Sequence, residues 1–97
     1  MKAAEQETIL QQAVDLYGYA TQEQMAVGEC GEFLSLFGRR VQGRSNDSEF
    51  IDEIADVTIM MRQMARIYGV KEVQARIDYK LSRLKERMRI HLERNQE

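Results

Sequence analysis

The sequence predicts an all-α protein, a four-helix bundle, and three observations predict it. Apolar residues recur at spacings of three and four along nearly the whole chain, and no stretch alternates as a strand would. Proline is absent, so nothing interrupts a helix by clashing with its preceding turn. Gly18, Gly43 and Gly69, with short polar clusters, fall where the periodic segments end.

The first helix is expected from about Ala4 to Tyr17. Ile9, Leu10, Ala13, Val14 and Leu16-Tyr17 form its apolar stripe, and Gly18 ends it. Thr21 to Gln24 reads as a capping box, which would start the second helix with Thr21 as N-cap. That helix is expected to reach about Arg40, with Met25, Cys30, Phe33, Leu34 and Phe37 on its buried side. Arg39 and Arg40 fall in its last turn, where cations suit the helix dipole. Residues 41–45 form a short loop. Asn46 to Glu49 reads as a second capping box opening a third helix, which Gly69 stops after Tyr68. The fourth helix is expected from Val70 to about Arg94, with Val73, Ile77, Leu81, Leu84 and Met88 as its stripe.

The third helix stands apart. One stripe is Phe50, Ile54, Val57, Met61, Met64 and Tyr68, and Ile51, Ala55, Ile59, Met60 and Ile67 add a second. A helix apolar over most of its girth must be covered on most sides. Three other helices in 97 residues do not suffice, so a second copy of the chain is expected to cover part of it.

Size allows a single domain, 1–97. A chain with 43% hydrophobic and 31% charged residues is ordinary for a helical protein that dissolves in water. No apolar run is long enough to cross a bilayer, so no membrane role is expected. Met1 to Gln12 lacks a signal-peptide pattern. A lone cysteine, Cys30, cannot form an internal disulfide, which agrees with a reducing, cytoplasmic setting. The net charge of −2 argues against nonspecific nucleic-acid binding. Charge is uneven, however. Residues 1–69 carry six basic and eleven acidic side chains, and residues 70–97 carry eight and five.

The chemistry sits in two carboxylate pairs, Glu29-x-x-Glu32 and Glu53-x-x-Asp56. Each pair has the i,i+3 spacing that puts both groups on one helix face. On antiparallel helices the four can converge. Four carboxylates brought together repel by roughly 1 kcal/mol per pair at 4 Å even in water, and by more out of solvent. None has a basic residue at i±4 on its own helix. The set therefore points to a divalent cation rather than a solvated face. The only histidine, His91, lies far along the chain. That disfavours the Glu-x-x-His di-iron pattern and zinc. All-oxygen ligation leaves Mg²⁺, Mn²⁺ or Ca²⁺, and Mg²⁺ commonly bridges carboxylates to phosphates. Lys80, Arg83 and Arg87, spaced i, i+3, i+7 on the fourth helix, are candidate phosphate-binding donors.

These residues resemble the signature of the MazG-like all-α nucleoside triphosphate pyrophosphohydrolases, phage and bacterial branch. The likeness spans about Leu16 to Met88. It rests on Glu29-x-x-Glu32, the 20-residue gap, Glu53-x-x-Asp56 within Phe50 to Val57, and the basic segment Tyr79 to Leu84, with Gly18 and Gln22 before the first acids. The resemblance implies hydrolysis of an NTP or dNTP to the monophosphate and pyrophosphate, dependent on Mg²⁺ with Mn²⁺ as a substitute. It implies Glu29, Glu32, Glu53 and Asp56 as catalytic metal ligands. Lys80, Arg83 and Arg87 would hold phosphates, and Gln22 would lie near the nucleoside. It also implies an intertwined homodimer, with pairing into a homotetramer. One departure stands out. Many relatives carry a further Glu before the first ligand, and here that position is Gly28. Glu49 is a candidate replacement for orienting water. The rival reading is a non-catalytic, oligomeric metal- or nucleotide-binding module.

Overall fold

The structure, a computed structural model, describes residues 1–96. It is all-helical, with four helices and no strand among the described residues: α1 (Ala3–Tyr17), α2 (Tyr19–Val41), α3 (Asp47–Tyr68) and α4 (Val70–Asn95). None of them is long and apolar enough to cross a membrane. The chain divides into two units, Met1–Ile67 and Tyr68–Glu97.

In the first unit, α1 stops at Gly18, whose φ of 83° is open to glycine at no steric cost. Its N–H donates to the Val14 carbonyl at 2.9 Å and its carbonyl accepts from the Gln22 N–H at 3.0 Å. One residue thus closes α1 and opens α2. The expected Thr21 capping box does not form: Gly18 is the N-cap of α2, and Thr21 already lies inside the helix. The second box is half realised. Asn46 Oδ1 accepts from the Glu49 N–H at 2.9 Å and starts α3. Arg40, in the last turn of α2, pairs with Asp47 in the first turn of α3 and stacks 4.9 Å from the Phe50 ring. Both ends of the short connection are held in this way.

The buried face of α2 differs from the expected one. Gln22, Ala26 and Leu36 are buried, whereas Met25, Leu34 and Phe37 are exposed. The inward stripe runs 22, 26, 29, 33, 36, a regular 3–4 alternation. It carries Glu29 and Phe33, both half-buried, between buried neighbours. Periodicity weighted toward large apolar residues put the stripe on the wrong side, because two of its members are polar. On α1, Leu10 and Val14 are the buried residues. On α3 they are Met60 and Gln63. Phe33, Phe37 and Phe50 meet with ring centroids 5.6–6.0 Å apart, tying α2 to α3.

A polar clasp ties α1 to α3. Arg62 donates to Gln6 Oε1 at 3.1 Å and to Glu7 Oε1 at 2.6 Å, and Arg66 donates to Gln11 Oε1 at 3.1 Å and to the other Glu7 oxygen. The two arginines sit one turn apart on α3, as do Glu7 and Gln11 on α1. Large apolar side chains remain exposed on all three helices, among them Leu16 and Leu34 and, on α3, Ile51, Ile54 and Ile59.

The second unit is built on α4. Gly69, with φ 121°, is its N-cap. None of the described residues of α4 is buried, and Ile77, Leu81, Leu84 and Met88 of the expected stripe are all exposed.

Candidate metal centre

The inward stripe of α2 and the middle of α3 bring three carboxylates together. Glu29, Glu53 and Asp56 each offer an oxygen within 4.8 Å of the other two. Glu29 and Glu53 are half-buried and Asp56 is exposed, so the cluster opens to solvent on the Asp56 side. Glu29 Oε2 and Glu53 Oε1 are buried and meet no hydrogen-bond donor. A buried carboxylate oxygen without a partner is costly. Burial, and then the neighbouring charges of Glu32, Glu53 and Asp56, push the Glu29 carboxyl above its ordinary range. Apposed acids with orphaned oxygens, no cationic partner among the described residues and an open side are the donor set that a hard cation completes. The residues fit such an ion.

Glu32 stands differently from its three companions. It is exposed, one turn beyond Glu29 on α2, and lies outside the cluster, although its charge still acts on Glu29. Glu49 is exposed in the first turn of α3, one turn before Glu53. Gly28 has open space beside it: a Cβ there would meet nothing within 4 Å.

Gln22 is fully buried. Its Nε2 donates to the Ala13 carbonyl at 3.4 Å, and its Oε1 has no hydrogen-bond partner. It pins the start of α2 to α1. In the second unit, Lys80, Arg83 and Arg87 line one cleft of about 230 Å³. The Arg83 guanidinium also lies 6.0 Å from the Tyr79 ring, and that of Arg76 lies 4.9 Å from it.

Two features went unread in the sequence. The Arg62–Arg66 clasp was legible in principle, because neither arginine has an acid at i±3 or i±4 on its own helix. That same absence drew attention to the carboxylates. Gln63 is buried, with an orphaned Oε1, and no local pattern distinguishes it from a surface glutamine. Compared with family models, curated proteins and solved structures, the chain matches none.

Proposed function

We propose that the chain is a Mg²⁺-dependent nucleoside triphosphate pyrophosphohydrolase of the MazG-like kind, converting an NTP or dNTP to the monophosphate and pyrophosphate. The observation that carries this reading is the convergence of Glu29, Glu53 and Asp56 with buried oxygens that no protein donor meets. These three would hold the metal, and Glu32 would join them through a rotamer change or a bridging water. Mn²⁺ would substitute, having the same preference for oxygen ligands. The bound metal would neutralise charge on the triphosphate and acidify a water molecule. A carboxylate, with Glu49 as a candidate, would orient a water molecule for in-line attack on the α-phosphorus. The bond from the α-phosphorus to the α–β bridging oxygen breaks, pyrophosphate leaves, and the water's proton passes to solvent. Lys80, Arg83 and Arg87 are the phosphate-binding donors in this reading, and Gln22 supports the nucleoside end from its buried position. The exposed apolar surface of α3 around Ile51 and Ile54 would be covered by a second copy, as a homodimer or a pair of dimers. The setting would be the cytoplasm and the task control or cleansing of the nucleotide pool.

The test is Mg²⁺-dependent pyrophosphate release from a panel of NTPs and dNTPs. Turnover of at least one, lost in Glu53→Gln, supports the reading. No turnover of any, or full activity in Glu53→Gln, would sink it.

Gly28 favours a second reading, a helical module that binds metal or nucleotide without turnover. The position beside the first acid offers no side chain, and the space there is empty. This reading expects metal to raise the melting temperature with no product formed.

A further inference from the structure

The face of α3 that carries Asp56 continues past the carboxylates. Asp56, Ile59 and Gln63 follow at offsets of three and seven, so they share one face. Seven residues of helix place Gln63 about 10.5 Å along the axis from Asp56. Ile59, Arg62 and Gln63 form one wall of a cleft of about 410 Å³, and Gln6, Ile9 and Leu10 of α1 form the other.

The cleft has the makings of a binding site for a small flat molecule. Its walls are largely aliphatic, and sites for organic ligands of this size pair such walls with a few placed polar groups. Arg62 is already committed to Gln6 and Glu7. Gln63 is not committed. It is only 8% exposed and its Oε1 is buried with no hydrogen-bond partner. An amide in such a place stays costly until a donor arrives. A purely apolar occupant, such as a helix face of a second copy, would leave that oxygen unsatisfied.

We propose that this cleft receives the nucleobase of the substrate and that Gln63 reads its edge. The inference rests on the nucleotide reading of the carboxylate centre. Phosphates at Glu29, Glu53 and Asp56 put the sugar beside Ile59 and the base beside Gln63, because a nucleoside spans about two turns of helix. Gln63 Oε1 accepts from a base N–H and Nε2 donates to the neighbouring ring nitrogen or carbonyl, the paired geometry by which carboxamides recognise bases. Ile9, Leu10 and Ile59 cover the faces of the ring. Gln63 is therefore a specificity-determining residue, two turns from the chemistry.

The test follows the side-chain amide signals of Gln63 by NMR in the intact chain with Mg²⁺. One arm adds a dNTP that the protein turns over. The other adds inorganic tripolyphosphate, which has no base. The dNTP should shift the Gln63 signals, and tripolyphosphate should shift only residues around Glu29 and Glu53. Gln63→Leu should raise KM for nucleotides roughly tenfold, the effect of one lost hydrogen bond, and leave Mg²⁺-dependent thermal stabilisation unchanged. Gln63→Glu, which keeps an acceptor and the side-chain size, should alter the ranking of the four bases. Should the acid shell respond to dNTP while Gln63 does not, the base cleft is wrong and the metal site stands. Should neither respond, the nucleotide reading falls with it. Gln63 signals that follow protein concentration and ignore nucleotide would make the cleft a surface between copies and overturn the proposal.

Discussion

Glu29 on α2 and Glu53 on α3 bring carboxylate oxygens within 4.8 Å of each other, and each buries one oxygen that no donor meets. Twenty-three residues separate them in the chain, among them the turn held by Arg40, Asp47 and Phe50. Two like charges held so close oppose folding. The arrangement persists because Phe33 and Phe50, one turn away on either helix, pack together beside it. Stability is given up locally to hold the two acids side by side.

The first prediction concerns that tension. Without metal, Glu53→Gln should melt higher than the parent chain, because it removes one of the repelling charges. The gain should be about 1 kcal/mol, the order of one carboxylate pair at this distance near solvent. With millimolar Mg²⁺ the order should reverse, since the parent gains a bound ion and the variant loses a ligand. Thermal melts with and without Mg²⁺ check both halves. Turnover of any substrate found should fall at least about a hundredfold.

The second concerns pH. Hydrogen bonds from Arg62 and Arg66 hold the Glu7 carboxyl below its ordinary range. A depressed carboxylate favours the folded state above the unfolded pKa of about 4.3. That contribution fades as pH falls through the lower folded value. The melting temperature should therefore drop between pH 6 and pH 3, and the drop should be smaller in Glu7→Gln. Salt should weaken the effect, because the pair is open to solvent. Melts across pH at low and high salt measure this.

The third concerns Gly28. It lies inside α2 with nothing near its missing side chain. Gly28→Ala should stabilise the chain by about 0.5–1 kcal/mol, the cost of glycine in a helix. Chemical denaturation gives the number. Gly28→Glu should fit equally well and set a further carboxylate beside Glu29. Under the proposed reaction it should raise kcat and leave KM little changed.

The fourth concerns association. Leu34 and Ile51 are exposed at 71% and 66%, a poor arrangement for a lone chain in water. Light scattering should find a dimer or tetramer at micromolar concentration, and Ile51→Glu should shift it toward monomer. A monomeric parent chain with its helicity intact would contradict this.

The fifth concerns the basic cleft of α4. Arg83→Ala should raise KM for nucleoside triphosphates roughly tenfold or more, as loss of a charge-assisted hydrogen bond does. Steady-state kinetics with Lys80→Ala beside it would show whether the two donors act together.

Local sequence determined the helices and their ends. Period-3.6 patterning needs only neighbouring residues, and Gly18, Asn46 and Gly69 act through their own backbones or side chains. The same local rule put Glu29 with Glu32 and Glu53 with Asp56 on common faces. It also misled at Thr21, where a good N-cap residue was overtaken by a glycine that turned the chain three residues sooner. Which face of α2 turns inward was another matter. Gln22 and Glu29 sit on it, so hydrophobicity alone pointed elsewhere. Only the packed helices decided that Glu29, Glu53 and Asp56 meet while Glu32 stays outside. The same holds for Arg62 and Arg66 reaching Glu7, and for Gln63 burying an amide oxygen that no donor meets. A helix repeat specifies direction around one axis. Contact between two axes depends on their rotation and spacing, and the sum of all side-chain packing sets those.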